Sequence, residues 1–200
     1  MKSMLRLGII LMIYSAIAGA LLGWVYIKTK PKIDEQAKLE REKAIKEVMP
    51  SNMVVFEEKT LSDSSVIIIG YSDSAKTQIV GYAATAVASG FSSNIVSIVG
   101  FTLDWKVNAI KVISQSETPG LGTHTQDQWF QEQFAGKLKD ELLVDKDGGT
   151  LKSITGSTIS SRAVTNSIKN LMSRLLSLQS ELPTNSPTAT DSTAVANSPI

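Results

Sequence analysis

The chain contains no cysteine. That excludes disulfides, thiolate zinc sites, iron–sulfur clusters and thioether-linked haem, and it leaves the redox compartment open. A single histidine, His124, leaves little from which to build an imidazole metal site. Charge of one sign is also missing. Twenty Lys and Arg against nineteen Asp and Glu give a net charge of +1, so no basic excess is available to neutralise a nucleic-acid backbone. The phosphate loops GxxxxGK(S/T) and GxGxxG are absent. So is a GxSxG elbow that would make Ser160, Ser161 and His124 a nucleophile–base set. Asp140, Glu141, Asp145 and Asp147 lack a calcium-loop spacing and read as a solvated turn.

What is present begins with a run of 21 residues, Leu7–Ile27, without a charged side chain. At helical rise it spans roughly 31 Å, the thickness of a bilayer's hydrocarbon core. Trp24 and Tyr26 suit the interface at its end. Ala18-Gly19-Ala20 is compatible with a signal-peptide cleavage site, but the apolar run continues seven residues beyond Ala20, which favours an uncleaved anchor. Basic residues flank both ends (Lys2 and Arg6; Lys28, Lys30 and Lys32), so charge does not orient it. Ser15, Gly19 and Gly23 recur every four residues, a spacing that admits a second membrane helix.

These patterns divide the chain into an anchor over 1–30, a charged linker helix over 31–50, a folded domain over 51–182 and a disordered tail over 183–200. Within the domain, Val54–Glu58, Ser65–Ser72, Gln78–Phe91, Asn94–Asp104 and Lys106–Glu117 read as strands, with Asp104-Trp105-Lys106 a turn. Their close spacing predicts an antiparallel meander and an α+β fold flanked by helices. Gln126–Lys139 carries Trp129, Phe130 and Phe134 on a helical stripe, and Asp145–Ile154 reads as a turn into a short strand. Arg162–Glu181 repeats apolar residues at Val164, Ile168, Leu171, Met172, Leu175 and Leu178, as a helix lying on the sheet would.

Two stretches point to a ligand. Thr155-Gly156-Ser157-Thr158 precedes the last helix, where unpaired N–H groups and the helix dipole attract an anion, phosphate above all. The plain alternative is an N-cap with Ser160 or Ser161 as the capping residue. Glu117-Thr118-Pro119-Gly120-Leu121-Gly122 follows a strand, and its proline and glycines fix a turn whose backbone can approach a ligand closely.

QSETPGLG over 115–122, GYA over 81–83, QFAGK over 133–137, TGST over 155–158 and SRAV over 161–164 together resemble the FMN-binding domain of membrane electron-transport complexes. The likeness covers roughly 81–172 and the N-terminal anchor. It is strongest to the G subunit of the Rnf-type ion-translocating ferredoxin:NAD oxidoreductase, with the C subunit of the sodium-translocating NADH:quinone reductase as a longer relative. The resemblance implies FMN joined through its phosphate to the Thr158 side-chain oxygen, making the chain a phosphoprotein in that sense. Thr155, Gly156 and Ser157 would lie around the phosphate, and Glu117, Thr118, Gly120, Leu121 and Gly122 along the ring. It also implies a flavin transferase for maturation, other membrane subunits as partners, and a single-pass place in the cell inner (cytoplasmic) membrane with the flavodomain on the outer, periplasmic face. The chain would then be a redox subunit of a translocase rather than a stand-alone enzyme. The alternative is a membrane-tethered binding module with no redox role. Two positions depart from the family's usual pattern: Ser157 stands where alanine is usual, and Lys152 where an acidic residue is usual.

Overall fold

The computed structural model describes residues 2–185. Two compact units divide between Lys43 and Ala44. The first is helical. Helix α1, Lys2–Val48, is 47 residues long and passes through Pro31 without a break, so the anchor and the linker helix are one element. Proline there removes one N–H from the ladder, a loss that the turns on either side tolerate. The side chains of Leu5, Leu7, Leu11, Met12, Leu21, Leu22 and Trp24 are all exposed, and the helix is long and apolar enough to cross a membrane.

The second unit is built on a five-stranded antiparallel sheet in the order β1-β2-β3-β4-β5: Val55–Thr60, Val66–Tyr71, Ile79–Ser89, Asn94–Phe101 and Val107–Ser114. Each strand pairs with the next in sequence, as the short connections require. Strand alternation sends side chains to two faces, and both are covered. Ile68, Ala83 and Ile98 face the end of α1, where Ala44, Ile45, Val48 and Met49 close over them. Ile67, Ile69, Tyr82, Val99 and Phe101 face the other way, into the larger core.

Helix α3, Thr158–Ser177, covers that larger core with Val164, Ile168, Met172 and Leu175, all buried. It lies over β3, where Ala84, Ala86 and Ala88 present small side chains and let the helix approach. Phe130 and Phe134 fill the space beside it, both fully buried and edge-to-face at 5.5 Å.

The expected last helix is displaced: it begins four residues before Arg162 and ends at Ser177, with a short 3-10 turn over Gln179–Glu181. The Trp- and Phe-bearing segment is shorter than its stripe suggests. Helix α2 spans only Gln128–Glu132, and Gly136, at φ +76°, turns the chain back to β5 through its N–H to the carbonyl of Val107 at 2.7 Å. The short strand expected before Ile154 is a single parallel bridge, Val144 to Leu151. Trp105 does form the β4–β5 turn, at φ +57°, and stacks on Tyr82 at 5.5 Å.

The tail reading needs correction for its first three residues. Tyr82 Oη donates to the carbonyl of Pro183 at 2.6 Å, and the Asn185 amide pairs with both the N–H and the carbonyl of Ile79 at 2.7 Å. The β4 pairing of β3 stops at Tyr82, and Asn185 fills the backbone edge left at Ile79. The remainder of the expected tail lies outside the described residues.

Candidate functional site

At one end of the sheet the β3–β4 hairpin tip, the turn after β5 and the start of α3 meet around a cleft of about 340 Å³. That is within the range of small-molecule sites. Its walls are Phe91, Glu117, Thr118, Leu121, Gly122, Gly156, Ser157, Thr158 and Ile159. Of the residues singled out from sequence, Thr155 and Gly120 do not line it. Phe91 and Ile159 do, and sequence reasoning missed both. Each is an apolar residue at a loop tip or helix start, unmarked by any periodicity, that the structure leaves more than half exposed.

Glu117 is the surprise. Its carboxylate does not stand free in the cleft but is tied into the protein. The N–H groups of Ser92 and Ser93 donate to Oε1 at 2.9 Å, and that of Phe91 to Oε2 at 3.3 Å. The Ser160 hydroxyl donates to Oε2 at 2.8 Å. Gly90 and Gly122 make room for the group, since a Cβ at either would collide with the carboxylate. Burial opposes its ionisation, but the Ser160 hydroxyl and the three N–H groups outweigh burial and hold the carboxyl below its usual range.

The start of α3 carries five hydroxyls between Thr155 and Ser161. Three are turned inward. Ser157 donates to Ser160 at 2.9 Å, Ser160 to Glu117, and Ser161 to the carbonyl of Ser157 at 3.0 Å while accepting the N–H of Ile154. The capping residue is therefore Ser157, not Ser160 or Ser161, and it caps without a side-chain bond to the helix amides. Among the described residues the N–H groups of Thr158, Ile159 and Ser160 have no partner, and neither does the Thr158 hydroxyl. Gly156 takes φ +77° to bring the chain into this start, with Leu121 packed 3.0 Å from where a Cβ would sit.

The remaining residues considered from sequence have structural partners. His124 is half-exposed and pairs with Asp127 at 2.8 Å. Asp147 holds Arg162 by two bonds, and Asp145 accepts the N–H groups of Lys146 and Ser153. Among the described residues no group of three acidic or histidine side chains is placed to hold a metal. The backbone of Lys152 is paired with the Gln133 side chain, and the residue lies outside the cleft walls.

The N-terminal region of RnfG matches residues 1–48, and the FMN-binding domain matches residues 90–173, which hold the hairpin tip, the glycine turn and most of α3. The G subunit of the Na(+)-translocating ferredoxin:NAD(+) oxidoreductase complex of Acetobacterium woodii is 32% identical over 84% of this chain and 89% of its own length. This chain belongs to the RnfG family. The G subunit of the ion-translocating oxidoreductase complex of Aliivibrio fischeri is 30% identical over 92% of the chain and 96% of its own. Among solved structures, the NqrC of Shewanella oneidensis aligns at a TM-score of 0.46 with 16% identity, over 62% of this chain and 64% of that one.

The residues present fit FMN. Unpaired amides at a helix start suit a phosphate, and Phe91, Leu121 and Ile159 offer apolar surface for a flat ring.

Several carboxyls of the domain titrate low, which sets an acid limit. Hydrogen bonds from the Ser65 side chain and backbone, with Arg174, bring Asp63 from 3.8 to about 2, and Glu117, Asp147 and Glu181 are lowered as well. A carboxyl depressed in the folded state contributes stability that is complete above its unfolded value and is lost as pH falls through its folded value. Thermal melts should therefore be flat down to about pH 5 and then fall continuously to about pH 2. A midpoint unchanged between pH 5 and pH 2 would contradict the assigned pairings.

Proposed function

We propose that this chain is the membrane-anchored flavoprotein subunit of an Rnf-type ion-translocating oxidoreductase complex, carrying electrons through FMN bound covalently at Thr158. The observation that carries this reading is the meeting, in one cleft, of a free hydroxyl at Thr158, unpaired amides beside it and three exposed apolar side chains. Bound FMN supplies one- or two-electron transfer, which the chain's own side chains cannot perform.

The chain's part is to hold and orient. The amides of Thr158, Ile159 and Ser160 neutralise the phosphate at the positive end of α3. Phe91, Leu121 and Ile159 would flank a bound ring and exclude water from it, and the open side of the cleft would leave it reachable by redox partners. Attachment replaces the Thr158 O–H bond by an O–P bond. The hydroxyl proton leaves, and the flavin nucleotide donor, a dinucleotide, loses a nucleoside monophosphate as its phosphorus is attacked. A flavin transferase catalyses the exchange. Helix α1 fixes the domain to the cytoplasmic membrane as a single span, with the flavodomain on the outer face and the remaining subunits of the complex as its partners. The flavin-bearing domain, placed at residues 51–182 by the sequence pattern, is extended by the end of α1 from Ala44 and by Pro183 and Asn185.

The full chain, expressed with a flavin transferase and purified in detergent, should be yellow and should keep its flavin fluorescence through denaturing electrophoresis. A colourless preparation would instead favour a membrane-tethered binding module.

A further inference from the structure

We infer that Glu117 is a positioning residue: it holds the cleft walls together and, through Ser160, leaves Thr158 as the hydroxyl available to the flavin phosphate. This rests on the reading of Thr158 as the acceptor.

The first part of the argument is connectivity. One buried carboxylate joins three segments that are remote in sequence. Its N–H donors come from Phe91, Ser92 and Ser93 at the β3–β4 tip, its own backbone begins the glycine turn, and its hydroxyl donor Ser160 lies in the first turn of α3. Phe91, Leu121 and Ile159 are therefore held by elements that share a single charged group. The absence of a Cβ at Gly90 and Gly122 shows how closely the chain wraps it.

The second part is the choice of hydroxyl. Of the five hydroxyls at the α3 start, Thr155 does not line the cleft and Ser161 bonds the carbonyl of Ser157, which leaves Ser157, Thr158 and Ser160 as chemically able to form a phosphoester. Glu117 accepts the proton of Ser160, and Ser160 accepts that of Ser157. Both serines are buried and their hydroxyl protons are committed to this chain of bonds, although Ser157 lines the cleft, while Thr158 has no side-chain partner among the described residues. The transfer then takes place at one oxygen: Thr158 Oγ1 loses its proton, bonds the flavin phosphorus of the dinucleotide, and a nucleoside monophosphate leaves.

Glu117→Gln is the discriminating variant because it preserves shape. Its NH2 must face either the Ser92 and Ser93 amides or the Phe91 amide and Ser160. Either orientation sets donor against donor. The full chain, wild type and E117Q, is expressed with a flavin transferase, and flavin is located by peptide mass mapping. Amide hydrogen exchange is measured on the same proteins without the transferase. In E117Q, occupancy at Thr158 should fall at least about tenfold, and the amides of 91–93 should exchange at least about tenfold faster. A control variant, Arg174→Ala, breaks the ion pair with Asp63 on the far part of α3 and tests general destabilisation. It should keep wild-type occupancy.

Wild-type occupancy at Thr158 in E117Q, wild-type protection of 91–93, or an equal loss in R174A would each overturn the inference. If the wild-type chain carries no covalent flavin, the acceptor reading fails separately, and the exchange of 91–93 alone decides whether Glu117 ties the cleft.

Discussion

Thr158→Val should abolish covalent flavin while leaving the protein folded. Valine matches threonine in shape and branching and lacks only the oxygen that would bond phosphorus. The Thr158 hydroxyl has no hydrogen-bond partner among the described residues, so its removal leaves no buried group unsatisfied. The thermal cost should stay within about 0.5 kcal/mol. Flavin fluorescence in a denaturing gel should disappear entirely, and Thr158→Ser should restore a part of it. The amides at the start of α3 survive the substitution, so FMN should still bind reversibly and be removable by gel filtration. Fluorescence retained by the valine variant after denaturation would move the acceptor to another residue.

Gly100→Ala carries the largest expected cost to stability. Gly100 lies on β4 directly beneath the end of α1, and a methyl there would run into the backbone carbonyl of Val48. The same carbonyl accepts the Asn108 side-chain amide at 2.8 Å. The helix end must therefore lift from Ile68, Ala83 and Ile98, losing that bond and part of the smaller core together. A loss of roughly 3 kcal/mol is expected. It should appear as a lower urea midpoint with an unchanged slope, since the surface exposed on unfolding is the same. Gly120→Ala is the contrasting case. Nothing lies within 4 Å of its new methyl, and only the positive φ of +75° opposes it. That costs about 1 kcal/mol. Equal midpoints for the two variants would show that the seat of α1 on the sheet has been misjudged.

The sheet was legible because its cause is local. A β-branched run over Ser65–Ser72 and alternation over Lys106–Glu117, bounded by polar turns, dictate strands, and short connections dictate neighbours. The apolar run at the N-terminus was legible for the same reason: length and the absence of charge suffice. The start of α3 was not. Ser160 and Ser161 read as caps because serine usually competes with a helix for backbone bonds. Here Ser160 bonds Glu117, 43 residues away, and the residue is free to be helical. Glu117 meets the same limit. It lines the cleft, but the hairpin tip that binds its carboxylate is remote in sequence. Phe91 and Ile159 were missed because no periodicity marks an apolar residue at a loop tip. In each case the deciding partner is distant in sequence. Resemblance of motifs reached the cleft where residue spacing alone stopped at a helix cap.

Trypsin cuts after Lys152 and after Arg162, so residues 153–162 leave the protein as one peptide that contains Thr158. Mass spectrometry of that peptide, from the full chain matured by a flavin transferase, is the most direct test. The account requires the mass of FMN less one water, with fragmentation placing it on Thr158. A bare peptide from protein of unmodified intact mass would contradict it.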